Sequence, residues 1–237
     1  MEKAIILGAT SGIGHALVQV LISNGYKVGA PGRRVELLNA LKEQGTEMLF
    51  TRKFDISDTQ NINNHLEAMV DELGGLDLLV ISAGFGELNA ELSFDIEERT
   101  IQTNVTGFTA AASWAFNYFK NRGMGHIVGI TSIAGIRGSR HAGSYNASKA
   151  YQINYLEGLK QQATHLGLSV TVTDIRPGFV DTAMAKGDGK FWVATPEKAA
   201  KQIYHSIKSK RSTVYVTRRW VFFAFVLKAL PSWLYNK

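Results

Sequence analysis

Short apolar segments alternate with amphipathic segments along most of this chain, and that alternation permits few folds. Residues 3–7 have the apolar character of a buried strand, and residues 12–24 then have the period of a helix. Strands joined through single helices form right-handed crossovers, so their sheet is parallel and is covered by helices on both faces. We therefore predict an α/β fold, a single doubly wound domain with a parallel sheet of about seven strands.

The predicted elements continue in this order to residue 216. The predicted strands are 3–7, 27–30, 47–54, 76–82, 126–131, 169–175 and 213–216. The predicted helices are 12–24, 35–44, 58–73 with Asp58 as N-cap, two stretches from about 94 and from about 105 to 121, 145–166, and one that follows Thr195 with Pro196 at its first position. No linker or repeat divides the chain, so we expect one domain over residues 1–216 and a C-terminal helical extension over residues 217–237.

The positive charge of the chain is concentrated near its C-terminus. Residues 198–237 hold nine Lys or Arg and no Asp or Glu, whereas the first 197 residues hold 17 basic and 20 acidic residues. The net charge of +6 therefore does not indicate binding of nucleic acid by the fold. The chain has no cysteine, which excludes disulfides and suits a cytoplasmic location, and its histidines lack the spacing of metal ligands, so we predict no metal site.

A glycine-rich turn lies between the first predicted strand and the first predicted helix. Its sequence is Gly8-Ala9-Thr10-Ser11-Gly12-Ile13-Gly14. Glycines at this position let the backbone approach a pyrophosphate, which is held by the N-terminus of the helix. A turn with only a structural role is the alternative. The position of the turn favours dinucleotide binding and a Rossmann-type domain.

Two arginines follow the second predicted strand, where a site for NAD carries an acidic residue. Arg33 and Arg34 occupy this stretch, and no acid lies at the strand end. Guanidinium groups suit a 2′-phosphate because they bind oxyanions through paired hydrogen bonds. We therefore predict NADP(H) in preference to NAD, with solvated arginines at a helix start as the alternative.

Tyr145 and Lys149 are four residues apart in a predicted helix, so their side chains share one face. An ammonium beside a phenol favours the phenolate, and we expect Lys149 to lower the pKa of Tyr145. A tyrosine of this kind can exchange a proton with an alkoxide near neutral pH. Two solvated helix positions are the alternative, so the weight of the pair depends on the other motifs.

Together the motifs resemble the short-chain dehydrogenase/reductase family over roughly residues 1–216. The resemblance rests on motifs in the family's order and spacing, namely Gly8-x-x-x-Gly12-Ile13-Gly14, Asp55, Ser82-Ala83-Gly84, Asn104, Ser132, Tyr145-x-x-x-Lys149 and Pro177-Gly178.

The resemblance implies a role for each catalytic candidate. Tyr145 would be the general acid/base, and Lys149 would hold the nicotinamide ribose and lower the tyrosine pKa. Ser132 would hydrogen-bond the substrate oxygen, and Asn104 would position a water that links Lys149 to solvent. With the glycine turn and the arginines, the expected cofactor-binding residues are Gly8, Thr10, Ser11, Gly12, Ile13, Gly14, Arg33, Arg34, Asp55, Ile56, Ser82, Ala83, Gly84, Tyr145, Lys149, Pro177, Gly178, Val180 and Thr182.

The activity expected from the resemblance is NADP(H)-dependent interconversion of a carbonyl and an alcohol, in a homodimer or homotetramer. The cofactor supplies the hydride. A phenol exchanges the proton with the reacting oxygen, and a hydroxyl donates a hydrogen bond to that oxygen. A dinucleotide-binding sensor or scaffold without catalysis is the alternative, although such a protein does not need the Ser132, Tyr145 and Lys149 set.

The segment from residue 179 to about 194 is the expected substrate loop. Met184, Phe191 and Trp192 are its apolar candidates and favour a lipophilic or aromatic small-molecule substrate. Its polar candidates are Lys186, Asp188 and Lys190, and Gly187 and Gly189 would let the loop close as a lid.

The C-terminal extension has an apolar run between basic residues. Arg218 and Arg219 precede residues 220–227, and Lys228 follows them. The run is too short to span a bilayer. We expect a helix packed on the core or on a partner subunit, with peripheral membrane contact through residues 218–237 as the alternative.

Overall fold

Seven parallel strands form a single sheet in the computed structural model, which describes residues 1–43, 47–184 and 191–235. In chain order they are β1 (Lys3–Leu7), β2 (Lys27–Gly32), β3 (Leu49–Lys53), β4 (Leu78–Ile81), β5 (Met124–Ile130), β6 (Ser169–Pro177) and β7 (Thr213–Val216). Their order across the sheet is β3-β2-β1-β4-β5-β6-β7. This topology confirms the predicted doubly wound α/β fold.

Helices cover both faces of the sheet. They are α1 (Gly12–Ser23), α2 (Val35–Lys42), α3 (Ile62–Leu73), α4 (Phe94–Ile101), α5 (Phe108–Arg122), α6 (Gly143–His165), α7 (Pro196–Lys208), α8 (Trp220–Ala229) and α9 (Ser232–Tyr235). Side chains of β1 alternate between the two layers: Ala4 and Ile6 pack with α1 and α7, whereas Ile5 and Leu7 pack with α3 and α5. The near-continuous apolar strands follow from burial on both faces.

The helix predicted from residue 58 starts later than expected. α3 begins at Ile62, and the Asp58 carboxylate accepts a hydrogen bond of 2.9 Å from the Asn61 side chain instead of capping a helix. The prediction was wrong because an aspartate satisfies a turn as readily as a helix N-terminus. By contrast, the predicted cap at Thr195 is confirmed, since its hydroxyl accepts from the Lys198 backbone N–H.

One continuous helical run replaces the two stretches predicted between residues 94 and 121. The π-helical segment Gln102–Gly107 joins α4 to α5 and carries Asn104. Single π-helical turns inside α-helices occur frequently at functional sites.

The direction of chain progression reverses between β1 and β4, which are neighbours in the sheet. In open α/β sheets, ligands bind outside the carboxyl ends of the strands at such a point. The topology therefore places the candidate site at the ends of β1, β4 and β5.

Candidate active site

A cavity of about 760 Å³ lies at the carboxyl ends of these strands. Its volume is within the range of natural ligand pockets. Every cofactor-binding residue predicted from the sequence lines it except Gly14. These residues are Gly8, Thr10, Ser11, Gly12, Ile13, Arg33, Arg34, Asp55, Ile56, Ser82, Ala83, Gly84, Tyr145, Lys149, Pro177, Gly178, Val180 and Thr182.

The glycine turn is packed so closely that side chains would not fit. Gly8 has a φ of +88°, and a Cβ there would lie 2.5 Å from the backbone nitrogen of Ala83. A Cβ on Gly14 would lie 2.2 Å from the carbonyl oxygen of Gly8, so Gly14 supports the turn from behind. The open backbone and the N-terminus of α1 fit a dinucleotide pyrophosphate.

Two arginines line the cavity at the β2 side of the turn, and one of them contacts two hydroxyls of the turn. Arg34 Nη2 donates to Thr10 Oγ1 and to Ser11 Oγ, both at 2.9 Å. Arg33 lies 3.7 Å from the Asp55 carboxylate, and about half of its side chain is exposed. The structure thus holds Arg34 against the glycine turn and leaves the Arg33 side chain accessible beside it.

The catalytic candidates lie together at the other side of the cavity. Ser132 follows β5, and Tyr145 and Lys149 lie one turn apart on α6. Ser132 and Tyr145 share a side-chain hydrogen bond. Gly86 packs against the Tyr145 ring, where a Cβ would lie 2.6 Å from Cδ2. The tyrosine ring is therefore held between α6 and the segment after β4.

The pKa of Tyr145 is shifted in the direction opposite to the one expected from its spacing to Lys149. Burial raises this pKa above the ordinary value, and the hydrogen bond with Ser132 lowers it by less. Lys149 Nζ lies 5.7 Å from the centroid of the tyrosine ring and makes its hydrogen bonds elsewhere. The predicted lowering by Lys149 is not met in this geometry, because helical spacing gives the face of a side chain but not its distance or burial.

Lys149 is a buried cation. Its Nζ donates to the Ile130 carbonyl oxygen at 3.1 Å and to Gln152 Oε1 at 3.0 Å. Burial lowers the pKa of Lys149 to about 8, and the charge of Asp174 acts in the opposite direction. A lysine with this pKa is charged at neutral pH and loses its proton in mildly alkaline solution.

Gln152 lies between Lys149 and Asn104, the residue that the family resemblance expects to position a water. The glutamine is fully buried, and its Nε2 donates to the Asn104 carbonyl oxygen at 2.8 Å. A side-chain amide therefore connects Asn104 to Lys149 directly. Sequence reasoning missed Gln152, although its position three residues after Lys149 on one helix face was a signal.

The side chain of Asn104 binds protein groups and does not line the cavity. Its Oδ1 accepts from the Phe85 backbone N–H at 2.8 Å, and its Nδ2 donates to the Phe85 carbonyl oxygen and to Ser148 Oγ. Asn104 thus fastens the segment after β4 to α6. In this structure its side chain supports the site, and the water that the family resemblance implies at Asn104 stays a prediction.

Helix α8 forms a wall of the cavity that sequence reasoning did not assign. Trp220 is buried on Gly178, where a Cβ would lie 1.9 Å from the indole Cε2. Phe223 and Leu227 continue this wall, and Tyr235 of α9 also lines the cavity. The indole N–H of Trp220 has no hydrogen-bond acceptor among the described residues. The inner face of α8 therefore packs on the core, as expected from the sequence.

The described part of the substrate loop adds further apolar surface. Met184 and Phe191 line the cavity, and the Phe191 ring lies 5.1 Å from that of Trp220. Trp192 lies outside the lining and contacts Trp220 in a T-shaped arrangement. Lys186, Gly187, Asp188, Gly189 and Lys190 lie outside the described residues.

Comparison with known proteins gives consistent matches. An uncharacterized oxidoreductase of Myxococcus xanthus is 36% identical over 188 residues, which are 77% of this chain and 74% of that protein. A structure of serine dehydrogenase complexed with NADP+ is 28% identical, with a TM-score of 0.80 over 90% of this chain and 93% of that one. A variant of actinorhodin polyketide ketoreductase with NADPH is 26% identical, with a TM-score of 0.78 over 91% and 95% of the two chains.

The match to a family model is the most direct of these findings. Residues 2–191 match the model of the short chain dehydrogenases, which is well over half of the chain. With the parallel seven-stranded sheet and the cavity described above, the match shows that this protein belongs to the short chain dehydrogenase family of oxidoreductases.

Proposed function

We propose that this protein is an NADP(H)-dependent oxidoreductase that interconverts a carbonyl and an alcohol, with Tyr145 as the proton donor and acceptor. The observation that carries the proposal is the placement of Ser132, Tyr145 and Lys149 in the same cavity as the glycine turn. One cavity thus contains both a backbone surface that fits a dinucleotide and side chains that can donate a proton or a hydrogen bond to a reacting oxygen.

The hydroxyl pair supplies the proton chemistry. When bound, the nicotinamide supplies a hydride to the carbonyl carbon or takes one from the alcohol carbon. In the reducing direction, the Tyr145 hydroxyl donates its proton to the oxygen, and the Ser132 hydroxyl stabilises the charge that develops there. The raised pKa of Tyr145 keeps the phenol protonated at neutral pH, as a donor requires.

Lys149 completes the site as a buried cation at the base of the cavity. Its Nζ lies 5.7 Å from the centroid of the Tyr145 ring, so the ammonium lies next to the tyrosine in the same cavity. Its hydrogen bonds to Ile130 and Gln152 fix the ammonium relative to α6. A ribose hydroxyl of the cofactor is the expected additional partner of Nζ.

The preference for NADP(H) rests on Arg33 and Arg34. Arg34 is held by two hydroxyls at the glycine turn, and Arg33 is only partly neutralised by Asp55 at 3.7 Å. This arrangement suits a 2′-phosphate better than a free 2′-hydroxyl. The NADP+ and NADPH of the two structural relatives support the same choice.

The substrate class is a lipophilic or aromatic carbonyl compound or the matching alcohol. Phe191, Trp220, Phe223 and Leu227 present apolar surface to the cavity. Apolar walls with few polar groups select by shape and hydrophobicity.

A turnover screen tests this function. Purified protein is mixed with NADPH or NADH and a panel of aliphatic, aromatic and steroidal aldehydes and ketones, and cofactor oxidation is followed by absorbance. We expect turnover of lipophilic members with NADPH, and a loss of about a thousandfold or more in Tyr145→Phe without a change in NADPH affinity. Full activity in Tyr145→Phe contradicts the mechanism, whereas tight NADPH binding without any turnover supports a sensor.

A further inference from the structure

Helix α8 is apolar on both of its faces. Its inner face packs on the cavity through Trp220, Phe223 and Leu227. Its outer face presents Val221, Phe222 and Phe225, which are 51%, 70% and 70% exposed. A helix at the surface of a soluble protein normally directs polar residues outward. The outer face of α8 therefore has the apolar composition of a surface that contacts another molecule.

The outer face is continuous rather than a set of isolated side chains. At 100° per residue, Val221, Phe222, Phe225, Val226 and Ala229 fall within one arc of about 140°. All five are exposed, and Lys228 lies at the edge of this arc. A contiguous apolar patch of this kind marks a site of interaction with a protein or a membrane.

The charges around α8 favour one of these occupants. Arg218 and Arg219 are exposed immediately before the helix, and Lys228 is exposed in its last turn. Residues 198–237 contain nine basic residues and no acidic one. A symmetric contact between two copies of α8 would bring these like charges together, whereas an anionic lipid surface complements them.

The dimensions of α8 fit a helix that lies along a membrane. No helix in the described ranges is long and apolar enough to cross a bilayer. The ten residues of α8 extend about 15 Å, and a helix of this length can lie in the plane of the headgroups with one face buried. The exposed Trp233 of α9 follows in the chain, and tryptophan is enriched at the membrane–water boundary.

We propose that the outer face of α8 docks this protein on an anionic membrane surface, with Phe222 and Phe225 inserted at the boundary of headgroups and acyl chains and with Arg218, Arg219 and Lys228 against the headgroups. The occupant is thus a bilayer rich in acidic phospholipid.

Docking in this orientation has a consequence for substrate access, which rests on the proposed function. The inner face of α8 lines the cavity, so only the thickness of one helix separates the cavity from the docked surface. A lipophilic carbonyl dissolved in the bilayer would then lie close to the site. Docking itself does not depend on catalysis and is tested separately from it.

Co-sedimentation with vesicles tests the docking. Full-length protein is mixed with vesicles of phosphatidylcholine alone or of equal parts phosphatidylglycerol and phosphatidylcholine. We expect binding to the anionic vesicles that weakens with salt. Phe222→Ser combined with Phe225→Ser should weaken it about tenfold or more. Each of Arg218→Gln and Lys228→Gln should weaken it about fivefold.

A matched double variant controls for the loss of exposed apolar surface as such. Met124 and Leu166 are 57% and 42% exposed and lie near the amino ends of the strands, away from α8. Met124→Ser combined with Leu166→Ser should leave vesicle binding unchanged. Circular dichroism and NADPH binding establish that each variant is folded.

Three outcomes overturn the proposal. One is wild-type protein that remains in the supernatant with anionic vesicles. Another is equal binding by the wild type and by the folded Phe222→Ser and Phe225→Ser double variant. A third is a wild-type dimer in sedimentation velocity that the same double variant dissociates, because the outer face is then a subunit contact.

Discussion

Gln152 accepts a hydrogen bond from Nζ of Lys149 at 3.0 Å, and both side chains are buried on α6. The same glutamine donates to the Asn104 carbonyl oxygen, so it ties the lysine to the π-helical segment. Gln152 therefore positions the cation of the site.

We first predict that substitutions of Gln152 move the pH dependence of cofactor use. A carboxylate in Gln152→Glu favours the ammonium, so the pKa of Lys149 rises from about 8 by about one unit or more. The alkaline limb of kcat/KM for NADPH, which reports the free enzyme, then moves to higher pH. Gln152→Leu removes the hydrogen-bond acceptor of the Lys149 ammonium, so the pKa of Lys149 should fall. We therefore expect lower activity and an alkaline limb of the pH profile that lies at lower pH. A residue with only a structural role would change the rate without moving the limb.

A second prediction concerns Arg34. Removal of its guanidinium in Arg34→Ala takes away charge-assisted hydrogen bonds to the 2′-phosphate, so the Kd for NADPH should rise about tenfold to hundredfold. NADH lacks this phosphate, and its Kd should stay within about twofold. Fluorescence titration with both cofactors measures the two effects. Arg211→Ala, which removes an exposed arginine before β7, is the matched control. An equal loss for both cofactors would show that Arg34 does not recognise the phosphate.

Local spacing was sufficient to predict the glycine turn and the shared helix of Tyr145 and Lys149. The two residues are about one helical turn apart and the glycines belong to one loop, so the local chain geometry fixes both arrangements. The sheet and its helices also followed from the alternation of apolar and amphipathic segments. The late start of α3 after Asp58 did not, because one side chain can serve either a cap or a turn.

The remaining features depend on contacts that sequence spacing does not determine. Trp220 and Gly178 are 42 positions apart in the sequence but in contact in the fold. Only the folded structure places the indole at the wall of the cavity. The direction of the Tyr145 pKa shift likewise depends on burial and on where Lys149 directs its hydrogen bonds. Spacing along a helix shows which side chains are neighbours, but not which interaction dominates.

A third prediction tests the packing of Trp220 on Gly178. Because a Cβ at residue 178 would lie 1.9 Å from the indole ring, Gly178→Ala should lower the free energy of unfolding by about 1–3 kcal/mol. In a Trp220→Leu background this cost should fall below about 0.5 kcal/mol, since the two changes concern one contact. Urea denaturation of the four proteins in the cycle measures the coupling. Equal costs in both backgrounds would exclude the indole as the source of the effect.

The last prediction uses the pKa of Lys149, which burial lowers from an ordinary value of 10.5 to about 8. Between these pH values the unfolded chain binds more protons at this residue than the folded protein, so wild-type stability gains from Lys149 as pH rises. Below pH 8 the buried charge costs about 3 kcal/mol, and its two hydrogen bonds offset about 2 kcal/mol. Lys149→Met should therefore unfold with a free energy about 1 kcal/mol higher than the wild type at pH 7.

The higher free energy of unfolding of Lys149→Met should disappear, and the wild type should become the more stable protein, by about pH 10. The reason is that the neutral lysine retains its hydrogen bonds and no longer has the cost of a buried charge. Urea denaturation of both proteins at several pH values between 7 and 10 measures the difference, in which the titrations of groups that do not interact with Lys149 cancel. Lys160→Met, on the exposed side of α6, is the control and should show no such dependence on pH. A difference between Lys149→Met and the wild type that stays constant across this range would mean that Lys149 keeps an ordinary pKa in the folded protein.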